Sequence, residues 1–265
     1  MSDRIFDSVR PTAPPAPYMG GKRALARTII ERINTIPHTL YGEVFMGMGG
    51  VFLRRDKRPK AEVVNDLSSD VATLFRVLQR HYPQLMETLK YQITSRTEFE
   101  RLRASDPDTL TDLERSARFL YLQKLSYGGK IVGRTFGVDT GGPARFDITR
   151  LGPVLEAIHE RMAGVVIERL RWQDLLTRYD REGALFYLDP PYYGVEGYYG
   201  PIFARSEFAE MADRLSMLKG RFILSLNDCP EVRAIFKAFR MDEVALSYTA
   251  QGGKGKPVTE LLISN

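Results

Sequence analysis

Ala184-Leu185-Phe186-Tyr187-Leu188-Asp189-Pro190-Pro191-Tyr192 is the stretch from which the architecture follows. Five apolar residues begin after Gly183 and stop at two prolines that cannot donate to a ladder, so they predict a short buried strand. Asp189 then stands just past the strand's carboxyl end, where open α/β sheets bind ligands. Pro190 and Pro191 fix the backbone and remove two N–H donors, leaving carbonyls as acceptors, and Tyr192 adds an aromatic face. A carboxylate, rigid carbonyls and a ring suit a flat base with an exocyclic amino group. Asp and Pro are also common turn residues, so the weight of this motif rests on its surroundings.

Upstream, Leu25, Ile29 and Ile33 recur every fourth position and predict a helix from about Lys22 to Ile33. A strand near 39–45, a glycine loop and a helix start around Val51 follow, then a strand over 61–64 and a helix capped by Ser68 or Ser69. From 82 to 147 the character changes to helices near 82–89, 97–103 and 111–125, followed by a glycine-rich segment. Alternation of helix and strand then resumes, from a helix near 148–162 to the strand before Asp189. Beyond it lie an amphipathic helix (207–218), a strand (221–226) and a helix opened by Pro230. The last two strand-like runs, 243–248 and 258–263, are joined by Gly252–Pro257, too short for a crossover helix, and must pair as an antiparallel hairpin. The class is α/β: a mostly parallel sheet with a helical insertion and a terminal antiparallel hairpin.

A hydrophobic share of 43% over 265 residues is enough to bury a large α/β core. The net charge of +5 permits an anionic partner. Cys229 is the only cysteine, which excludes an internal disulfide and a cysteine-based metal cluster, and three scattered histidines give a metal site no support. No stretch has transmembrane length and no signal peptide is evident, so no membrane partner and a cytoplasmic setting are expected.

Glu43-Val44-Phe45-Met46-Gly47-Met48-Gly49-Gly50 forms the first strand–helix turn, where glycines let a ligand approach the backbone. The next strand ends at Asp66, 19 residues past Gly47, placed to accept ribose hydroxyls. A dinucleotide fits poorly, because Phe52 stands where the third glycine belongs, and no P-loop is present. S-adenosylmethionine fits better: it has an adenosine to hold and no pyrophosphate to cradle. Pro17-Tyr18-Met19-Gly20-Gly21-Lys22 offers backbone N–H groups, through Gly21, and a cation for its carboxylate, while Glu43 or Asp189 faces its cationic end. A first-turn lysine is also commonly a solvated one.

Three ordered blocks, 17–22, 44–50 and 189–192, together with Asn65-Asp66-Leu67-Ser68-Ser69-Asp70, resemble the Dam-like (D12 class) DNA adenine-N6 methyltransferases from about residue 16 to 263. The resemblance implies a Rossmann-like class I methyltransferase sheet with a helical target-recognition insertion. It implies a flexible arm over 1–17, an S-adenosylmethionine-binding catalytic domain over 18–81 and 148–265, and a DNA-recognition insertion over 82–147 with a basic glycine-rich hairpin. Tyr18, Lys22, Asp66 and Asp189 are then cofactor contacts, Gly47 and Gly49 line the pocket beside Phe45, and Leu67 touches the adenine. Tyr18 stands where the family carries a tryptophan. Asp189 and the Pro190 carbonyl would accept hydrogen bonds from the target amino group, drawing the nitrogen towards tetrahedral geometry for in-line attack, with Tyr192 stacked on a flipped-out base.

Between Arg115 and Val138 stand Arg115, Arg118, Lys124, Lys130 and Arg134 without one acid, interleaved with Tyr121 and Tyr127. Such a run is usually a solvated face. Here Arg118, Lys124, Tyr127, Lys130 and Arg134 are the expected contacts to double-stranded DNA, with Lys254 and Lys256 as a second set. The segment 127–138 is short for the family's base-reading hairpin, so GATC specificity is not carried over; a different or relaxed site is expected, as suits a phage or prophage enzyme. Cytosine-C5 chemistry is disfavoured, since Cys229 lies far from Asp189 and reads as an inert thiol. The alternatives are an N4-cytosine methyltransferase and a non-catalytic DNA-binding protein on the same scaffold. A monomer or weak dimer is expected.

Overall fold

The computed structural model describes residues 5–138, 141–247 and 257–265. In chain order the strands are β1 (Asp7–Ser8), β2 (Leu40–Glu43), β3 (Lys57–Arg58), β4 (Ala61–Asn65), β5 (Val166–Glu168), β6 (Ala184–Leu188), β7 (Arg221–Asn227), β8 (Arg240–Ser247) and β9 (Pro257–Ser264). The helices are α1 (Ala26–Thr35), α2 (Ser69–Arg80), α3 (Tyr82–Leu89), α4 (Arg96–Ala104), α5 (Asp112–Leu125), α6 (Ile148–Arg161), α7 (Trp172–Tyr179), α8 (Glu207–Ser216) and α9 (Pro230–Ile235). Seven strands form one sheet in the order β5-β4-β2-β6-β7-β9-β8. The first five run parallel; β9 is antiparallel to both β7 and β8. The expected parallel sheet with a terminal antiparallel hairpin is therefore present.

β6 explains why the sheet closes as it does. Its residues alternate: Leu185 and Tyr187 join a core on one face with Ile29, Val64 and Leu262, while Ala184, Phe186 and Leu188 join a core on the other with Phe208, Phe222 and Leu261. A strand buried on both sides reads as a continuous apolar run, as 184–188 does. β2 lies between β4 and β6, so the strand order reverses there and a crevice opens at the carboxyl ends of β2 and β6.

Three expectations change. The helix at Val51 is a single 3-10 turn, Phe52–Arg54, because Arg55 is already extended and β3 and Pro59 follow. α1 opens at Ala26 rather than Lys22: no side chain caps it, and the chain turns through Gly20 and Gly21 first. The segment 5–17, expected to be a flexible arm, is docked; β1 pairs with β3, Thr12 N–H donates to the Leu53 carbonyl at 2.7 Å, and Ala16 is buried.

The helical insertion shares the core of the α/β body. Phe99, Phe119, Leu122, Leu125 and Phe146 pack in the same cluster as Ile33, Leu74 and Leu78. Helix α5 carries a full capping box, with Thr111 and Glu114 each satisfying the other's backbone N–H. Beyond it the loop 126–138 is closed by an antiparallel bridge, Ser126 to Phe136.

Gly42 sits opposite Phe186 across β2 and β6, and a Cβ there would stand 2.8 Å from Phe186 Cδ1. Gly42→Ala is expected to cost about 1–3 kcal/mol by overpacking. Adding Phe186→Leu should return part of that loss in urea denaturation, whereas simple additivity of the two changes would show that the contact does not set the strand spacing.

Candidate active site

The crevice at the reversal of strand order is a cavity of about 810 Å³. Tyr18, Gly21, Lys22, Glu43, Phe45, Gly47, Asp66, Leu67 and Asp189 all line it, so most of the residues singled out in the sequence come together. Gly49 does not. It turns the loop with φ +72°, and a Cβ there would strike Leu53 Cγ at 2.8 Å, so its role is internal packing. Gly47, at φ +51°, lies under the Tyr18 ring, where a Cβ would come within 2.9 Å of Cε1.

Asp66 ends β4 and accepts hydrogen bonds from Gly47 N–H at 2.8 Å and Ser68 N–H at 2.9 Å. Burial pushes its carboxyl up to about 6, against those two donors. Each carboxylate oxygen keeps a free lone pair. Asn65 ties the strand ends together, donating to the Val44 and Leu170 carbonyls and accepting from Leu170 N–H. The walls also include Leu170, Trp172, Ile202 and Phe203, which the sequence reading missed; Trp172 Nε1 donates to Glu207 at 2.7 Å.

Asp189 emerges from β6 on the face of Tyr187. Ser225, from the neighbouring β7, donates to its Oδ1 at 3.2 Å and shares a hydrogen bond with the Tyr187 hydroxyl. Lys22 Nζ lies 2.9 Å from the same oxygen. Burial pushes the Asp189 carboxyl up to about 6, and Lys22 and Ser225 pull it back. Lys22 is itself buried, 3.4 Å from Glu260 of β9, and donates to the Tyr192 hydroxyl while lying 4.1 Å from that ring's centroid. Lys22 is therefore not the solvated first-turn lysine that its position also suggests: its N–H donors face Asp189, Glu260 and Tyr192. Pro190 is buried, and Tyr192 is half-buried beside the cavity. Asn227 clamps the turn that follows, accepting from Tyr193 N–H and donating to the Tyr193 carbonyl. Adjacency of β6 and β7 in a parallel sheet was the available signal for Ser225 and Asn227.

The expected DNA contacts divide. Arg118 is buried and donates to the carbonyls of Leu102 and Arg103, so it is a structural residue. Arg134 donates to Gln123 Oε1 and lies over the Phe119 ring, and half-buried Lys124 lines the cavity, 3.4 Å from the Pro15 carbonyl. Tyr127 is exposed, and Lys130 is half-exposed on the same loop. Lys254 and Lys256 lie outside the described residues. Burial raises the Cys229 thiol, in keeping with an inert group. Among the described residues no cluster of His, Cys, Asp and Glu could hold a metal, and no helix is long and apolar enough to cross a membrane.

Fold and site define a class: an α/β protein with a nucleoside-sized cavity where its strand order reverses, and an Asp-Pro-Pro-Tyr carboxylate at the rim. Residues 18–250 match the D12 class N6 adenine-specific DNA methyltransferases, and the chain belongs to that family. Over 271 residues it is 24% identical to the Type II methyltransferase M1.LlaDCHI of Lactococcus lactis subsp. cremoris, covering 94% of this chain and 93% of that protein. The resemblance read from the motifs is thus borne out, and adenine N6, not cytosine N4, is the family's target.

Glu43 ends β2 fully buried, accepting from the Tyr41 hydroxyl at 2.8 Å and from Phe52 N–H at 3.3 Å. Burial nonetheless pushes it up to about 8. Its folded pKa exceeds the unfolded value, so the native state binds the extra proton between about 4.5 and 8, and stability falls as pH rises through that window, by at most about 1.4 kcal/mol per unit. In Glu43→Gln that slope should flatten in urea melts at pH 5, 6.5 and 8; an unchanged slope would mean that Glu43 does not titrate there.

Proposed function

We propose that this enzyme moves the methyl group of S-adenosylmethionine to N6 of an adenine turned out of double-stranded DNA, with Asp189 and the Pro190 carbonyl accepting the two amino hydrogens. The carrying observation is Asp189 itself, a carboxylate at the rim of the sheet, held by Lys22 and Ser225 in the same cavity as Asp66. The residues present fit the donor. Asp66 keeps lone pairs for a ribose diol, Phe45, Leu67, Trp172 and Phe203 supply apolar walls for an adenine, and Gly47 leaves the backbone bare below Tyr18.

When bound, S-adenosylmethionine supplies an electrophilic methyl group on a sulfonium. What this chain contributes is the nucleophile. The adenine amino lone pair is delocalised into the ring; hydrogen bonds from its two N–H groups to Asp189 and the Pro190 carbonyl localise it on nitrogen. Asp189 must be ionised to accept, and Lys22, by lowering its pKa, keeps it so at neutral pH. Tyr192, fixed by Lys22, offers a face for the base. Turning the base out brings it to these groups, which a stacked duplex keeps beyond reach. Tyr127 and Lys130, on the loop above Tyr18, are the proposed contacts to the surrounding duplex; a loop this short supports a recognition site other than GATC, or a relaxed one. A modification enzyme of a restriction system is one setting for that activity.

Nucleoside mass spectrometry of unmodified duplex DNA tests the reaction. N6-methyladenine should accumulate, and Asp189→Asn should lower kcat by about 10²-fold or more; N4-methylcytosine instead, or near-normal turnover of the variant, would overturn it. kcat/KM should fall about tenfold per unit as pH drops below about 6, where Asp189 takes up its proton. Lys22→Met removes the cation that lowers this pKa, so its acid limb should move to higher pH. Methylation confined to GATC in a mapping experiment would refute the altered specificity.

A further inference from the structure

The cavity holds titratable and charged groups that lack an opposite charge bonded to them within the protein. Lys22, Asp189 and Glu260 satisfy one another, and Arg171 and Glu207 lie 3.9 Å apart. Glu43 has only neutral donors, and Arg23 and Arg54 line the same cavity with no carboxylate at ion-pair distance among the described residues. Arg54 is half-buried. One of its N–H groups, on Nη1, donates to the Gly50 carbonyl at 2.6 Å, and burial together with the charge of Arg23 pushes its pKa down. A guanidinium drawn partly out of water beside a second, exposed cation is costly unless an anion joins them.

These groups converge through one short element. The 3-10 turn Phe52–Arg54 presents Phe52 N–H to Glu43 and, two residues on, carries Arg54. Gly50, just before it, leaves a hollow: a Cβ there would stand 3.4 Å from Lys22 N and 3.9 Å from Arg54 Nη1. A buried carboxyl with no cation bonded to it, which an incoming ammonium would ionise, and cations without a carboxylate flank one turn, the arrangement that complements a free α-amino acid, whose ammonium and carboxylate share one carbon.

Resting on the cofactor reading above, we propose that Arg54, seconded by Arg23, binds the carboxylate of the methyl donor's amino-acid end, across the turn from the Glu43 already expected at its ammonium. The cation of the Gly-Gly-Lys segment is committed elsewhere, to Asp189, and the task passes to a residue that no motif marks. Arg54 has N–H donors to spare beyond Gly50, and its planar fork can grip a carboxylate through two of them.

The test compares S-adenosylhomocysteine, which carries the amino-acid end, with 5′-methylthioadenosine, which keeps the nucleoside and lacks that end. Trp172, the chain's one tryptophan and a wall of the cavity, reports binding by fluorescence, with calorimetry as a second readout. Arg54→Met should weaken S-adenosylhomocysteine tenfold or more and leave 5′-methylthioadenosine within twofold of wild type. Arg54→Lys should recover part of the loss, and Arg23→Met should weaken the first ligand about threefold. Retained 5′-methylthioadenosine affinity shows that the variant's pocket is folded. Equal weakening of both ligands, or of neither, overturns the assignment of Arg54. Failure of the wild-type protein to bind either ligand overturns the cofactor reading, and this assignment with it.

Discussion

The Lys22–Asp189 pair holds the end of the sheet in its working form. Two charges withdrawn from water cost several kcal/mol each unless close approach and further donors compensate. Here the compensation comes from four elements: Lys22 from the loop before α1, Asp189 from the end of β6, Ser225 from β7 and Glu260 from β9. A lysine satisfied only at that point forces the loop 17–22 back across the carboxyl ends of the strands. That crossing puts Tyr18 over Gly47 and roofs the cavity. The pair therefore does two things with one contact: it favours the ionised form of Asp189, and it builds one wall of the cavity.

The same loop locks the helical insertion to the body. Met19 N–H donates to the Gly129 carbonyl at 3.0 Å. Gln123, fully buried on α5, donates to the carbonyls of Pro17 and Gly129 and accepts from Arg134. Gly129 must be a glycine here, since its φ is +67° and a Cβ would press within 3.0 Å of Tyr18 N. The insertion is thus continuous with the cofactor side in both packing and hydrogen bonding, and a shift at the base of the loop 126–138 reaches Tyr18 and Lys22 within a few bonds. Tyr199, from the opposite side, donates to the Met19 carbonyl and lines the cavity too.

What the sequence made legible was whatever rests on local pattern. The run 184–188 is apolar because both faces are buried, and its arrest at Pro190 places Asp189; period and stop signal suffice. The hairpin at the end follows from a linker too short for any other connection. The ordered motifs led to the right cavity because they sit at strand ends, and a parallel sheet gathers its strand ends on one side. Charge was not legible. Nothing local to Lys22 shows that β9 brings Glu260 up to it, so its ion pairs within the protein are invisible along the chain. Arg118 was read as a DNA contact because the carbonyls that consume it belong to the end of α4, some fifteen residues away. Arg54 carried no signal at all: its importance depends on the absence of a nearby acid, which only the folded arrangement reveals.

That distinction changes how the basic stretch 115–138 must be weighed. Its cations were counted along the chain as if all faced one partner, yet Arg115 pairs with Asp70 and Asp108, Arg118 caps carbonyls and Arg134 is held by Gln123. Those three fix the insertion to α2 and shape the base of the loop. Two cations of the stretch are left, Lys124, half-buried in the cavity lining, and Lys130, half-exposed on the loop that carries the exposed Tyr127. The unpaired positive charge of the stretch is thus smaller than a count of its cations along the chain suggests. Any contact made at Lys130 would act on a loop that is tied, through Gly129 and the segment 18–22, to the lysine paired with Asp189.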